Sequence, residues 1–492
     1  SSFLFFFFFF FFFFFFFFII IRVPPPNPPG HDYDKSFLAA SADALANGTT
    51  ISLECMSEAC RASTPGYLDN LPTALAQGLI SLVDLQAAAH RAFLPRFLVG
   101  LYDPPEVVPW SRIPADVVQG PAHQQLARDA AAAALVLLLN NNGTLPLRAA
   151  AAGGPKTLAV LGPAANCTSC NMDRYTGYPT QATSMLAGIQ ARAATAGTTV
   201  VFGGSGLDSP AALQQATQAA AHADVTIAFL TGEQEGESHD RENIGLPADQ
   251  QTLLDAVLKA AAGPVVVVTV SGGPVSVSPA RYPAVAAMIA AHRSGMQAGN
   301  ALADVLWADV SPSGRLAATT YVEAWVNASS FVDMGLRTRG HRYLSAAARQ
   351  ALVLFPFGHG LTYSNFAQSW ASPPPQSVSA RALRAGASVP VSVRVTNHGP
   401  VFAGNCSVIL VLARPGAPPS EQWPVQWLPF RGFARTPELQ PNASATVPLT
   451  LSAADFRRWT STGFAVQPGR YTLAILGLDG DSLQPMSFDV TE

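Results

Sequence analysis

Acidic residues are concentrated in one short segment of a chain that otherwise carries few charges. Residues 232–247 read GEQEGESHDRENIGLP and include Glu233, Glu235, Glu237 and Asp240, although only 12% of the 492 residues are charged. Like charges a few ångströms apart raise one another's pKa, which suits a carboxylic acid that must hold a proton near neutral pH. The pattern is also typical of a solvated acidic loop in which Asp240 pairs with Arg241, and spacing alone favours this second interpretation.

Two cysteines, Cys167 and Cys170, have the spacing of a redox or metal site. No second CxxC and no His pair lies near them, so we expect a local disulfide or two structural thiols, and Cys55 with Cys60 is a second candidate pair. Nucleotide-binding, zinc-protease and serine-hydrolase motifs are absent, so no cofactor or metal is predicted. Four scattered histidines are each predicted to be structural hydrogen-bonding residues: His239, His292, His341 and His359.

The acid-rich segment follows one of five short apolar runs that alternate with helical stretches between Thr157 and about Tyr343. The runs are LAVLG, TVVFGG, VTIAFLTG, PVVVVTVSG and AMIAAH. Strands covered on both faces are continuously apolar in this way, so the pattern predicts an α/β sandwich with a mostly parallel sheet. Ligands of such sheets meet the loops at the carboxyl ends of strands, and the acid-rich segment is predicted to be such a loop.

Different patterns flank this region. From Phe37 to about Leu101 the chain is Ala-rich and helical. Ser81 and Asp84 predict a capping box for a helix that carries Leu85, Ala88, Ala92 and Phe93 on one face and ends near Gly100. After SWASPPPQS, segments such as SVPVSVRVTNHG and GRYTLAILGLDG alternate apolar and polar residues, which predicts a small antiparallel β-sandwich.

Residues 1–30 are a low-complexity Phe/Pro segment. The apolar run Leu4–Ile21 is about as long as a membrane-spanning helix. One interpretation is an anchor or signal sequence. The favoured interpretation is a translated non-coding tract, because there is no initiating Met, no charged n-region and no small-residue cleavage site. Membrane contact is expected only if this segment is real.

Net charge and glycosylation sequons indicate which partners and which compartment to expect. A formal charge of −3 and a pI near 6.3 exclude a basic nucleic-acid-binding surface. Six Asn-x-Ser/Thr sequons favour an extracellular or cell-wall protein. They lie at Asn47, Asn142, Asn166, Asn327, Asn405 and Asn442.

Several long segments together resemble glycoside hydrolase family 3, in its β-xylosidase and α-arabinofuranosidase branch. They are HQQLARDAAAAALVLLLNNNGTLPL, LAVLGPAAN with MDRYTGYP, GEQEGESHDRENIGLPADQQTLL, SGMQAGNALADVLWADVSPSGRLAATTY and LFPFGHGLTYSNF. The likeness runs in order over about residues 31–492. It implies the remnant of a (β/α)8 barrel with linker at 31–110, the family's C-terminal α/β sandwich at 111–370, and a fibronectin type III-like domain at 376–492.

The resemblance also implies a reaction and roles for residues. Retaining glycosidases use two carboxyl groups about 5–5.5 Å apart, one as nucleophile and one as acid/base. Glu235 and Glu237 both match the acid/base position, with Asp240 and Arg241 supporting the loop. The resemblance does not fix whether the sugar is xylose, arabinose or glucose.

The barrel nucleophile has no match in this sequence. The Phe/Pro tract occupies its place, and Asp32 and Asp34 match residues that lead into a helix. We therefore expect the gene to encode a β-xylosidase-like exo-glycosidase that acts on cell-wall oligosaccharides. The present chain lacks the nucleophile, so we expect it to be inactive. The alternative is a non-catalytic carbohydrate-binding or interaction protein, and a thiol–redox role for Cys167 and Cys170 is a third.

Overall fold

The computed structural model divides into two compact units, with the boundary between Val117 and Val118. Among the residues that it describes, no helix combines the length and the apolar character needed to cross a membrane. The described residues are 34, 36–52, 65–173, 175–177, 179–232, 241–328, 330, 344–413, 430–461, 463–480 and 483–492.

The first unit is helical, as predicted. The capping box is confirmed: Ser81 Oγ accepts from the Asp84 backbone N–H at 3.2 Å, and Asp84 Oδ2 accepts from the Ser81 N–H at 2.8 Å. A small core includes Ala88, whereas Phe93 is exposed. The helices are Phe37–Ala46, Tyr67–Ala76 and Leu82–Leu98, followed by the 3-10 turns Pro105–Val107, Pro109–Arg112 and Ala115–Val117.

The second unit begins with the predicted α/β sandwich. Its strands are β1 Val136–Asn140, β2 Thr157–Leu161, β3 Thr199–Phe202, β4 Val225–Leu230, β5 Val265–Thr269 and β6 Val285–Ala290. They form one sheet in the order β1-β6-β5-β4-β2-β3, in which only the β1–β6 pair is antiparallel. The helices are Pro121–Ala134, Met185–Ala196, Pro210–Ala221, Ala248–Ala260 and Ala298–Leu306.

The sheet is covered on both faces, which explains its continuously apolar strands. Because successive side chains of a strand point to opposite faces, β4 supplies Ile227 and Phe229 to one core and Ala228 and Leu230 to the other. Helices 185–196 and 298–306 contribute to the first core, and helices 210–221 and 248–260 contribute to the second.

The predicted β-sandwich follows. The remaining strands of the second unit are β7 Thr320–Tyr321, β8 Val353–Phe355, β9 Phe366–Ser372, β10 Ser377–Ser379, β11 Val389–Asn397, β12 Ser407–Ala413, β13 Phe430–Arg435, β14 Ser444–Leu451, β15 Arg457–Thr460, β16 Gly463–Val466, β17 Gly469–Leu476 and β18 Leu483–Thr491. β7 and β8 pair with each other and precede the β-sandwich. The two sheets of the β-sandwich have the orders β10-β18-β17-β12-β13 and β14-β11-β9, and among the described strands β15 pairs only with β16, as a separate two-stranded ribbon. One pair departs from the antiparallel prediction, because the short β10 runs parallel to β18. Short helices cover Ala346–Leu352, Ala380–Arg384 and Ala453–Phe456, with 3-10 turns at Asn141–Gly143, Ala150–Ala152, Ser169–Asn171 and Glu323–Asn327.

A half-buried arginine, Arg315, joins the α/β sandwich to the β-sandwich. The Arg315 guanidinium donates to the carbonyl oxygens of Gly358 and Gly477, and to that of Ser407 at 3.1 Å. Burial lowers the pKa of Arg315 to about 10, so the group stays cationic at neutral pH. Nearby, the His359 ring nitrogens lie 3.1 Å from the Asp479 carbonyl oxygen and 2.9 Å from that of Leu138, which confirms the structural role predicted for this histidine.

Candidate active site

The acid-rich segment begins where a buried side chain fixes the end of β4. Gln250, on the helix Ala248–Ala260, is 5% exposed. Its Oε1 accepts from the Thr231 backbone N–H at 2.8 Å, and its Nε2 donates to Thr231 Oγ1 at 2.8 Å. Two parallel hydrogen bonds set both the position and the rotation of Thr231, so the chain leaves the sheet in a defined direction.

The segment returns onto a second fixed stretch. Arg241 Nη1 donates to the Pro274 carbonyl oxygen at 2.9 Å, and the Ser276 N–H donates to the Ile244 carbonyl at 2.7 Å. Gly245 and Ser276 form a parallel bridge, and a Cβ on Gly245 would lie only 1.9 Å from Glu323 Oε1. Both ends of the segment are therefore held at the carboxyl edge of β4 and β5.

The residues predicted to do the chemistry lie between these two ends. Glu233, Glu235, Glu237 and Asp240 are outside the described residues, and so is His239. Arg241 lies within the described residues, where it contacts Pro274. The acid/base role of Glu235 or Glu237 and the supporting role of Asp240 and Arg241 stay predictions.

A disulfide-bridged turn lies at the end of β2, the strand next to β4. Cys167 and Cys170 form a disulfide, so the first of the two predicted alternatives holds for this pair. The next residue, Asn171, is 1% exposed, and its backbone carbonyl accepts from the Gly295 N–H at 2.8 Å. The turn is thereby attached to the segment that follows β6. Cys55 and Cys60 lie outside the described part of the chain.

The segment after β6 carries a histidine in an unusual backbone conformation. His292 has φ of 53°, a left-handed conformation that few residues other than glycine adopt. Burial lowers the pKa of His292, which favours the neutral ring. The next residue, Arg293, forms an ion pair with Asp173 at 2.8 Å, joining the ends of β6 and β2 a second time.

The sequence did not single out Gln250 or Asn171 as residues of this edge. Both are neutral amides, and neither has a charge or a motif spacing that marks it as functional. Gln250 could have been found from its place in the first turn of the helix after GLP, because a polar residue there can reach back to the end of the preceding strand.

Comparisons with known proteins agree with this architecture. Residues 135–363 match the model of the glycosyl hydrolase family 3 C-terminal domain, and residues 410–477 match the fibronectin type III-like domain. The chain is 30% identical over 471 residues to a probable exo-1,4-beta-xylosidase of Neosartorya fischeri, which covers 91% of this chain. It is 34% identical over 304 residues to beta-xylosidase/alpha-L-arabinofuranosidase 2 of Medicago sativa subsp. varia, which covers 60% of this chain and 38% of that relative.

Two solved structures have a similar fold. A GH3 exo-beta-xylosidase in complex with a xylobiose aziridine probe superposes with a TM-score of 0.75 at 25% identity, over 95% of this chain and 59% of that one. A β-glucosidase from Erythrobacter marinus superposes with a TM-score of 0.73 at 26% identity, over 94% of this chain and 61% of that one. The chain spans 57% of the length of the Neosartorya relative.

Proposed function

The chain belongs to glycoside hydrolase family 3, and we propose from this membership that it supplies the acid/base half of a retaining, β-xylosidase-like exo-glycosidase that acts on cell-wall oligosaccharides. The observation that carries the proposal is the fixing of the acid-rich segment at both ends. Thr231 is bound by Gln250, and the return stretch is bound to Pro274 and Ser276. A carboxyl group that moves a proton must be held within hydrogen-bonding reach of the reacting oxygen, and attachments at both ends of the segment support such a role.

The proposed chemistry divides between two carboxyl groups. One attacks the anomeric carbon, while the other protonates the leaving oxygen and then removes a proton from the attacking water. We assign the second role to Glu235 or Glu237. The resemblance places the nucleophile on the barrel, and no residue of the printed sequence matches it.

A secreted, glycosylated protein is part of the same proposal. Five of the six sequon asparagines are exposed, as attachment of a glycan requires: Asn47, Asn142, Asn166, Asn327 and Asn442. Asn405 is half-buried, and its amide donates to the Thr436 carbonyl at 3.0 Å. We therefore expect Asn405 to stay unmodified, while the exposed sites support an extracellular location.

The test is an assay of the protein encoded by the complete transcript on aryl β-xyloside, α-arabinofuranoside and β-glucoside. We expect one of Glu235→Gln and Glu237→Gln to lower kcat by about 10²–10⁴ on substrates with a poor leaving group, because proton donation is lost. The control is Glu242→Gln, at an exposed carboxylate outside the matched positions. The polypeptide of the 492 printed residues should show no turnover.

Three results bear on the alternatives. Full activity in both Gln variants would remove the acid/base assignment. Hydrolysis by the 492-residue polypeptide that disappears in either variant would show that the nucleophile lies within this polypeptide. A complete protein that binds xylan oligosaccharides but hydrolyses none of the aryl glycosides would favour the non-catalytic carbohydrate-binding alternative.

A further inference from the structure

Two aromatic rings project from the ribbon formed by β15 and β16. Trp459 and Phe464 pair across the ribbon, and they are 67% and 69% exposed. Their ring centroids lie 5.0 Å apart with an interplanar angle of 79°. In an edge-to-face pair one ring presents its edge to the other, so the two rings stand nearly at right angles and leave ring faces open to solvent. We call this pair the Trp459–Phe464 corner.

The base of the ribbon is anchored while its end is not. Phe456 and Val466, at the two ends next to the domain, are buried in the β-sandwich core. Among the strands that the structure describes, β15 and β16 join neither of the two larger sheets. The ribbon therefore holds its aromatic end on a fixed base, away from the core that buries Phe456, Tyr471 and Phe488.

The ribbon is also locally basic on a chain whose net charge is −3. Residues 456–478 contain Arg457, Arg458 and Arg470 and no Asp or Glu. Arg457 and Arg458 are exposed, and within the described residues neither has an ion-pair partner. The preceding carboxylate, Asp455, accepts from the Ser452 N–H at 2.7 Å and lies 4.0 Å from Arg431.

We propose that the Trp459–Phe464 corner and the adjacent Arg457 form a docking site for a xylan chain that carries uronic acid groups. An exposed indole face can stack on the apolar face of a pyranose ring. Because side chains alternate along a strand, Arg457 lies on the same face of the ribbon as Trp459, where it can meet a carboxylate on the polymer. The choice of a polysaccharide ligand rests on the proposed function, and the site would hold polymer apart from the cleavage site.

The test measures binding and requires no hydrolysis. The full 492-residue chain is run through native gels that contain glucuronoxylan, or arabinoxylan without uronic acids, at low and at high salt. Trp459→Ala should weaken the binding of both polymers about tenfold, through loss of the stacking face. Arg457→Gln should abolish the preference for glucuronoxylan and its salt dependence, while arabinoxylan binding stays unchanged. Arg458→Gln, on the opposite face of the ribbon, should change neither.

The matched control is Phe433→Ala. Phe433 is another aromatic residue of the same domain, 70% exposed on β13, and its removal should leave the binding of both polymers intact. All variants should keep the melting temperature of the parent chain, because the replaced side chains are exposed.

Three outcomes would overturn the proposal. Unchanged binding in Trp459→Ala would remove the stacking site, and an unchanged uronate preference in Arg457→Gln would remove the charge pairing. A dimer that sedimentation detects in the parent and not in Trp459→Ala would identify the corner as a contact between copies. Loss of hydrolysis in the complete protein with binding retained would refute the proposed function alone, whereas hydrolysis without binding would refute only the docking site.

Discussion

At the scale of single residues, the hydrogen bonds between Gln250 and Thr231 explain how an acid-rich segment can begin at a defined point. The amide of glutamine is the only uncharged side chain besides asparagine that offers a donor and an acceptor side by side. Gln250 uses both, one on the Thr231 hydroxyl and one on its backbone N–H.

Replacing Gln250 by Leu should destabilise the protein by about 1–3 kcal/mol, because the Thr231 backbone N–H and hydroxyl lose their partner in a buried site. The free energy of unfolding can be measured by urea denaturation, and hydrogen exchange of residues 231–246 should rise more than exchange elsewhere. Gln214→Leu, at an exposed glutamine on the neighbouring helix, is the control. Equal effects of the two substitutions would show that the contact does not hold the loop.

His292 predicts a pH dependence of stability. Since burial lowers its pKa in the folded state, the unfolded chain takes up the proton at the higher pH. The contribution of His292 is therefore complete above the unfolded pKa of about 6.5 and is lost as the pH falls through the folded value.

His292→Asn keeps a residue that tolerates the positive φ and removes this titration. The fall in unfolding free energy between about pH 7 and pH 5 should become shallower in this variant, as denaturation at a series of pH values would record. His222→Asn is the matched change at an exposed histidine. A slope identical to that of the parent would contradict the assignment to His292.

At the scale of elements, Arg315 is one of the residues that link the two sandwiches of the second unit. It lies in the segment before β7 and reaches carbonyls beside β8, in β12 and after β17. Its partners are carbonyl oxygens, which suit a planar group with five donors.

Arg315→Met should destabilise the second unit by about 3 kcal/mol, because buried carbonyl groups lose their donors. Differential scanning calorimetry should then resolve two transitions in place of one, since the α/β and β-sandwich layers lose a shared contact. Arg315→Lys, which keeps the charge but loses the fork of donors, should recover only part of the loss. Full recovery by Lys would mean that the charge matters and the geometry does not.

The sequence predicted most elements because their patterns have clear periods. The continuously apolar runs became β2 to β6, and the alternating segments became β11, β12, β14 and β17. It did not predict β1, because the Ala-rich helix Pro121–Ala134 passes into VLLLN without a breaking residue and an apolar run of that length fits helix or strand. The parallel β10–β18 pair joins residues more than a hundred positions apart, and no local pattern encodes it.

At the scale of the whole molecule, the sequence predicts where the candidate site lies but not the residues that hold its two ends. The acid-rich segment stands out because carboxylates are rare in this chain and cluster after a strand, and its catalytic role stays a prediction. Asn171, Gln250 and the contact of Arg293 with Asp173 depend on the order of strands in the sheet, which sets the ends of β2, β4 and β6 along one edge. That order follows from tertiary packing, so the sequence alone did not specify these neighbours.

The first unit exposes more apolar surface than scattered single residues would give. Exposed side chains follow one another along the helix Leu82–Leu98 and the turns after it, and Phe97 and Tyr102 pack on each other with ring centroids 4.7 Å apart. Large apolar side chains that are exposed near one another are typical of contact surfaces. The residues include Leu82, Val83, Phe93, Leu94, Phe97, Leu98, Leu101, Tyr102, Trp110 and Ile113.

The two-faced burial of β4 has a consequence for engineering. Its side chains are committed to one core or the other, so the strand offers no position at which to tune selectivity without disturbing the scaffold. The stretch between Gly232 and Arg241 is bounded by independent attachments on each side. This stretch is therefore the segment to replace with loops from related glycosidases, while the rest of the domain keeps its sequence.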